Sequence, residues 1–312
     1  MELSLFDLHC DTAYAMHRSA QGLLSNNLAI SLQNAAEFNQ FVQIMAIWTD
    51  HSLSDEDGWN AYQSILSYLK NDPAILSKKA YLTTLYEEPS TQTPHLMLAV
   101  EDARILAGDA DRLIRLWRDG IRILTPLWKG NSCIGGAHDT GNGLTPFGRQ
   151  ILQKAVSLGM IPDISHASEQ SAEEIFEIAS HAQAPVIASH SNAYEICPAS
   201  RNLRRAQADQ IRRSDGVVGL NLYPYFLRLD GNAGIRDVLA HVDYFLSIGL
   251  CDQLCLGCDM DGADMPPEIQ TLADLPRLAE LLLSENYSEA LVRNLFFGNA
   301  NRFANKHLKL KQ

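Results

Sequence analysis

The sequence predicts an α/β fold, a (β/α)8 barrel of the TIM type, with residues 1–312 forming one domain. Three observations carry this expectation. Eight short apolar runs alternate with helical segments from end to end. The first run leads into LHCDTAYAMHR rather than a G-x-G-x-x-G turn, and no G-x-x-x-x-G-K-[ST] loop occurs, so an open nucleotide-binding sheet is disfavoured. Titratable residues stand at the ends of five of the runs. That is the edge at which a barrel builds its active site.

The composition supports one large core. Hydrophobic residues make up 46% of the 312 and charged residues 20%, which excludes broad disorder. The net charge of −12 makes a nucleic-acid partner unfavourable, because an acidic surface repels phosphate. No basic amphipathic segment and no apolar stretch of membrane-spanning length points to a bilayer. The start, MELSLFDLHCD, lacks the basic and apolar regions of a signal peptide, and six cysteines without an export signal read as reduced thiols. The expected compartment is the cytoplasm. No repeat or long linker divides the chain, and the softest stretch is the loop EEPSTQTP at 87–94.

The runs fall at 5–11, 42–49, 95–101, 121–128, 161–166, 185–190, 217–223 and 253–259. Runs this apolar suit parallel strands buried on both faces. Helices are expected at 102–119, 145–158, 168–181, 202–214 and 233–248. Ser168 is a capping residue with Glu173 and Glu174 in the following turns, and Gly120 and Gly159 fit helix C-terminal stops.

The first run ends in His9 and Asp11, the third in Glu101, the fifth in His166, the sixth in His190 and the eighth in Asp259. A lone strand histidine is most often a hydrogen-bonded structural residue. Convergence of these six groups on one barrel edge changes that reading. Crowded carboxylates repel and raise one another's pKa, and a divalent cation removes the conflict by favouring ionised carboxylates and neutral imidazoles. His9 and Asp11, two residues apart, face the same side of a strand. Mixed nitrogen and oxygen ligation suits zinc first, and also manganese, cobalt or iron. Six ligands exceed the needs of one tetrahedral zinc, so two divalent ions with Glu101 between them are expected. The remaining histidines, at 17, 51, 95, 138, 181, 241 and 307, read as surface, loop or helix residues.

The stretch CDQLCLGCDMDG at 251–262 offers a competing chemistry. Cys251, Cys255 and Cys258 have the C-x3-C-x2-C spacing of radical enzymes that bind a four-iron cluster. Here the cysteines lie near the C-terminus, and Cys255 and Cys258 tend to opposite sides of a strand. Cys255 reads as a core residue of the eighth strand and Cys258 as packing beneath the site. Asp261 reads as shaping the next loop or supporting the site.

The order and spacing of several motifs resemble the renal (membrane) dipeptidase family of the metal-dependent amidohydrolases. They are DLHCDT at 7–12, AVED at 99–102, LTPLW with Asn131 and IGG at 124–136, DISHAS at 163–168, and ASHSNA at 188–193. SRNL at 200–203, GVVGLNLYP at 216–224, HVDY at 241–244, GCDMDG at 257–262 and GNANR at 298–302 continue the series. The resemblance implies that His9, Asp11 and Glu101 bind one metal with Asp259 near it, and that Glu101 bridges to a second held by His166 and His190. It implies a dipeptidase in which a metal-bridging hydroxide attacks the amide, with Asp259 as general base and then acid. Dipeptides with a C-terminal D-residue fall within the expected range. Arg201 matches the arginine that binds the substrate's carboxylate; by itself it would read as a solvated helix-start residue. Tyr223 stands where a strand-end tyrosine touches substrate, although a core role is equally compatible with its position.

One departure concerns the residue after the fourth run. Renal-type members carry a histidine there that contacts the substrate carbonyl region, and this chain has Trp128. An indole only donates, so oxyanion stabilisation shifts to the metals or to a group such as Asn131. Two further alternatives remain. Lys129 stands close to where other amidohydrolases, acting on lactones or cyclic amides, carry a carboxylated lysine. A non-catalytic barrel is disfavoured by the complete ligand set. The partner expected is a small-molecule dipeptide, and the sequence leaves a homodimer open.

Overall fold

Side-chain alternation along the apolar runs sorts them between two cores. In the run at 42–47, Val42, Ile44 and Ala46 join one cluster with Phe6, Leu8, Met97, Ala99 and Ile123, while Met45 and Ile47 join a larger one. The first cluster fills the interior of a barrel, and the second lies between its strands and the surrounding helices. The computed structural model describes residues 2–89 and 92–309. Its strands are β1 (Leu5–Cys10), β2 (Phe41–Ile47), β3 (Tyr81–Leu82), β4 (His95–Glu101), β5 (Ile121–Thr125), β6 (Ile161–Pro162), β7 (Val218–Leu220) and β8 (Leu254–Leu256).

All ladders are parallel, in the order β6-β5-β4-β2-β1-β8-β7, with β3 pairing beside β4. The segment 185–190, expected as a strand, forms only single bridges, from Asp163 to Ile187 and from Ala188 to Val218. These bridges still close the ring: Ile164 N–H donates to Ile187 O at 2.9 Å and Gly219 N–H to Ala188 O at 2.8 Å. The ladder is interrupted because the Asp163 carboxylate takes the amides of Ser165 and Ser189, at 2.9 and 3.0 Å. The eighth run likewise pairs regularly only over Leu254–Leu256.

The helices follow the sequence with local corrections. Ser168 caps Glu169–His181 by accepting from Ser171 N–H, and Thr145 caps Pro146–Ser157. Gly120, with φ 105°, ends Asp111–Asp119. The single helix expected over 102–119 is split by left-handed backbone at Ala107 and Gly108 into a 3-10 turn, Ala103–Leu106, and Asp111–Asp119. The helix expected from 202 begins at Arg205, because Leu203 is tied to Asn192 by a 2.8 Å backbone bond that holds the preceding loop against the barrel. The helix expected over 233–248 is Asp237–Ser247. Ala300, Phe303 and Ala304 of the helix Asn299–His307 join the interior cluster and cover the end of the barrel opposite the C-terminal strand ends. Among the described residues no helix is long and apolar enough to cross a membrane.

Closure depends on close backbone contact at two glycines. A Cβ at Gly257 would lie 1.7 Å from Ser189 O, and one at Gly219 would lie 1.9 Å from the same oxygen. Gly257→Ala is expected to lower the unfolding free energy by more than about 3 kcal/mol, the upper part of the range for forced overpacking. Urea titration followed by circular dichroism measures this, and an unchanged midpoint would contradict the closure described.

Candidate metal centre

The C-terminal strand ends gather the six predicted ligands. β1 reaches the site through a break in its alternation. Phe6 and Leu8 face the barrel interior, yet Cys10 packs in the outer core, because the pairing with β2 shifts register between Asp7 and Cys10. His9 and Asp11 therefore arrive together, with Nε2 and Oδ2 3.5 Å apart. Glu101 ends β4 and follows the inward positions Met97 and Ala99. His166 and Asp259 sit on left-handed backbone, with φ of 74° and 64°. Such strain at non-glycine residues persists only where surrounding contacts enforce it.

Glu101 lies between two sets of candidate ligands. Its Oε2 is 3.6 Å from His9 Nε2, while its Oε1 is 2.7 Å from His166 Nε2 and 3.4 Å from His190 Nε2. Asp259 Oδ1 stands 3.7 Å from His9 Nε2. Two compact donor groups result, His9 with Glu101 and His190, and His9 with Asp11 and Asp259, each with ligand atoms within 4.8 Å of one another. Among the described residues, His9 Nε2 and Asp11 Oδ1 are buried without a hydrogen-bond partner. Unpartnered buried atoms of this kind are costly, and a divalent cation would satisfy both. The donor set thus fits a metal.

Supporting bonds fix the ligands' orientation. His166 Nδ1 lies 3.0 Å from Trp128 O, so a proton on Nδ1 leaves Nε2 as the free lone pair. His190 Nδ1 is 2.7 Å from Ser189 Oγ, which donates in turn to Asp163 Oδ2 at 2.5 Å. Asp7 accepts from Cys258 N–H and Gln43 Nε2, each at 2.9 Å, and so ties β1 to the end of β8. Asp261 accepts from Thr12 Oγ1 at 2.6 Å and Ala29 N–H at 2.7 Å, the supporting role its position predicted. Gly262 leaves the space that the carboxylates use: a Cβ there would lie 2.1 Å from Asp11 Oδ2 and 2.7 Å from Asp259 Oδ1.

Electrostatics separate the ligands into two kinds. Burial, reinforced by Glu101, raises Asp11 to about 7. Burial and Glu101 also raise Asp259 to about 6, against the opposing pull of His9. Burial would lower His9, but Glu101 and Asp11 hold it well above the ordinary imidazole value. Burial and Arg201 lower His166 to about 3, and burial and the charge on His9 lower His190 well below its ordinary value. Burial alone would raise Glu101, yet His9 and His166 hold it well below the usual carboxylate range.

A cavity of about 720 Å³ opens onto this cluster, lined by Trp128, His166, Arg201, Tyr223, Phe226 and Asp259 among others. Arg201 is 5% exposed and makes no salt bridge among the described residues. Among the described residues its Nη atoms hydrogen-bond only to Ser191 Oγ at 3.4 Å and His190 O at 3.3 Å, and its Nε has no partner. Trp128 turns its ring toward Trp48 (centroids 5.2 Å apart) and Tyr14 stacks edge-on against Trp48 at 4.9 Å, forming an aromatic wall. Asn131 is not brought into the cavity; it is exposed and accepts from Asn142 Nδ2 at 2.9 Å across a hairpin. Lys129 is exposed at the cavity lining, while Glu101 occupies the position between the ligand sets.

Two residues escaped the sequence reading. Asn221 donates to Asp259 Oδ2 at 3.0 Å and accepts from Tyr223 N–H at 2.6 Å, so it positions both. His138, read as a loop residue, lines the cavity with its ring 5.9 Å from that of His166. The sulfurs do not converge. Cys255 faces the barrel interior, Cys258 the outer core, and Cys251 is exposed. No donor group among the described residues includes a cysteine.

The family model for membrane dipeptidases (Peptidase family M19) matches residues 1–311. The chain belongs to this family. It is therefore a metal-dependent peptide hydrolase of the dipeptidase type. An uncharacterized Klebsiella pneumoniae protein from the pqqA 5′ region is 34% identical over 212 residues, covering 64% of this chain and 77% of its own length. The dipeptidase AC, a metallopeptidase of family M19, is 25% identical with a TM-score of 0.90, and the match covers 99% of each chain. A Rhodobacter sphaeroides metallopeptidase, liganded with a phosphinate mimic of the dipeptide L-Ala-D-Ala, has a TM-score of 0.90 at 24% identity, over 98% of this chain and 100% of its own. The M19 dipeptidase architecture thus extends over the whole barrel.

Metal uptake should depend on pH in a defined direction. Below about 7 Asp11 and below about 6 Asp259 each hold a proton that a cation must displace, and His9, held well above the ordinary imidazole value, holds another. His166, lowered to about 3, is already neutral there, and His190 is shifted in the same direction. Affinity for a divalent ion is expected to rise between about pH 5 and about pH 8, by about tenfold per unit for each displaced proton, with protons released on binding. Calorimetry in buffers of different ionisation enthalpy measures this; a flat affinity would exclude these groups as ligands.

Proposed function

We propose that this dipeptidase binds two divalent ions, zinc by the chemistry of its ligands, and hydrolyses free dipeptides that present a C-terminal carboxylate to Arg201. The observation that carries the reading is Arg201 itself, a buried guanidinium without a carboxylate partner, on the wall of the cavity that ends at the ligand cluster. A buried cation demands an anion, and the planar guanidinium fork suits a carboxylate. His9, Asp11 and Asp259 would hold one ion and His166 and His190 the other, with Glu101 shared. Such ions supply Lewis acidity, polarising a carbonyl and lowering the pKa of water.

The chain's own groups divide the remaining work. Asn221 occupies Asp259 Oδ2, which leaves Oδ1 to take the proton of the attacking water and return it to the leaving nitrogen. Arg201 fixes the carboxylate end and so limits substrate length. Trp128, Trp48 and Tyr14 exclude water from one side of the site, and Tyr223 borders substrate at the opposite loop. The Rhodobacter sphaeroides relative binds a mimic ending in D-Ala, and we extend the reading to dipeptides with a C-terminal D-residue. We further propose that residues 1–312 act as one domain in the cytoplasm.

Asp259→Asn removes the proton acceptor but keeps an oxygen ligand. It is expected to retain metal and lose at least about a hundredfold in kcat. Metal analysis and turnover of L-L and L-D dipeptides check this, and undiminished kcat would reject the role. Two equivalents of zinc, and no turnover of lactones or cyclic amides, are expected in the same assays.

A further inference from the structure

The loop between β5 and the helix Pro146–Ser157 carries His138 to the substrate cavity. Its backbone N–H donates to His166 O at 2.7 Å, which fastens the loop to a metal-ligand candidate. Its ring hangs on Ser200, with Nδ1 2.8 Å from Oγ, and Ser200 immediately precedes Arg201. His138 and Arg201 both line the cavity of about 720 Å³, and both also line an adjoining cavity of about 360 Å³. The two side chains therefore stand on one wall, at the boundary between two spaces. Nε2 of His138 has no hydrogen-bond partner among the described residues. A neutral imidazole carries one donor and one acceptor nitrogen. The Ser200 hydroxyl can donate to Nδ1, and in that tautomer the ring proton sits on Nε2.

We propose that His138 is a substrate-binding residue whose Nε2–H donates to the same carboxylate that Arg201 holds. The inference rests on the reading of Arg201 given above. A carboxylate has more acceptor positions than one guanidinium occupies, and a second donor on the same wall fixes its rotation about the C–C bond. That orientation matters because the scissile amide lies only one residue away. Ser200 positions the ring and does not itself need to touch substrate.

The test compares free dipeptides with the same dipeptides amidated at the C-terminus, using KM or, for slow substrates, the inhibition constant. His138→Ala should weaken binding of the free acids about tenfold, the loss of one hydrogen bond to a charged group, and weaken the amides much less. His138→Gln, whose amide can replace the Nε2 donor, should recover most of that loss. Ser200→Ala should shift the free acids in the same direction by a smaller factor. Equal losses for acids and amides in His138→Ala, or no loss at all, would overturn the proposal. Arg201→Met in the same assay separates the two readings. An acid-selective loss there without one in His138→Ala rejects only the role of His138. Absence of acid selectivity in Arg201→Met rejects the reading of Arg201.

Discussion

Glu101 is a buried carboxylate whose ion-pair partners among the described residues are all imidazoles. One oxygen faces His9 and the other faces His166 and His190. Around it Asp11 and Asp259 add two more carboxylates within reach of His9. Low-dielectric surroundings make such a cluster expensive, and without a cation the only remedy is protonation. The elevated values of Asp11 and Asp259 express that remedy. The barrel's catalytic end is thus an assembly of negative charge that is stable only with protons or with metal, and this competition ties metal binding to pH.

Several features of the fold exist to hold that charge in register. The shift in β1 lets His9 and Asp11 face one site although a regular strand would turn the intervening Cys10 inward. Asp163 gives up the end of a ladder to orient His190 through Ser189. Left-handed backbone at His166 and Asp259 turns both side chains at loop starts, and Gly262 leaves room for two carboxylates. Each device lowers local regularity, and the close packing of the barrel compensates for it.

These features also explain what the sequence made legible. The convergence of the six candidate ligands was readable because barrel geometry maps the ends of apolar runs onto one edge, even where segment 185–190 forms bridges rather than a strand. His190 lands where expected because its position depends on the run's end, not on ladder length. His138 and Asn131 belong to a long loop, whose path is fixed by contacts such as His138 N–H to His166 O and Asn142 to Asn131. No periodicity encodes such contacts, so one residue was overlooked and the other was expected in a cavity it does not line. Asn221 lay in view within GVVGLNLYP, but only the distance to Asp259 reveals its task. The cysteines show that spacing alone misleads. Their spacing attracts attention, while burial, with Asp7 adding to it, pushes the Cys258 thiol up and keeps it protonated, unsuited to ligating a soft metal.

The site separates a rigid donor cluster from a cavity wall built by loops. The candidate ligands sit at strand ends supported by buried bonds, whereas Arg201, His138, Trp128 and Tyr223, which line the cavity, come from the connecting loops. Loop residues can change without moving the metal ligands, because their anchors to the barrel are few and local. Trp128 is such a case. Its carbonyl still orients His166, while its side chain contributes only an apolar wall. Replacing that side chain therefore alters the cavity wall and leaves the backbone contact that orients the imidazole in place.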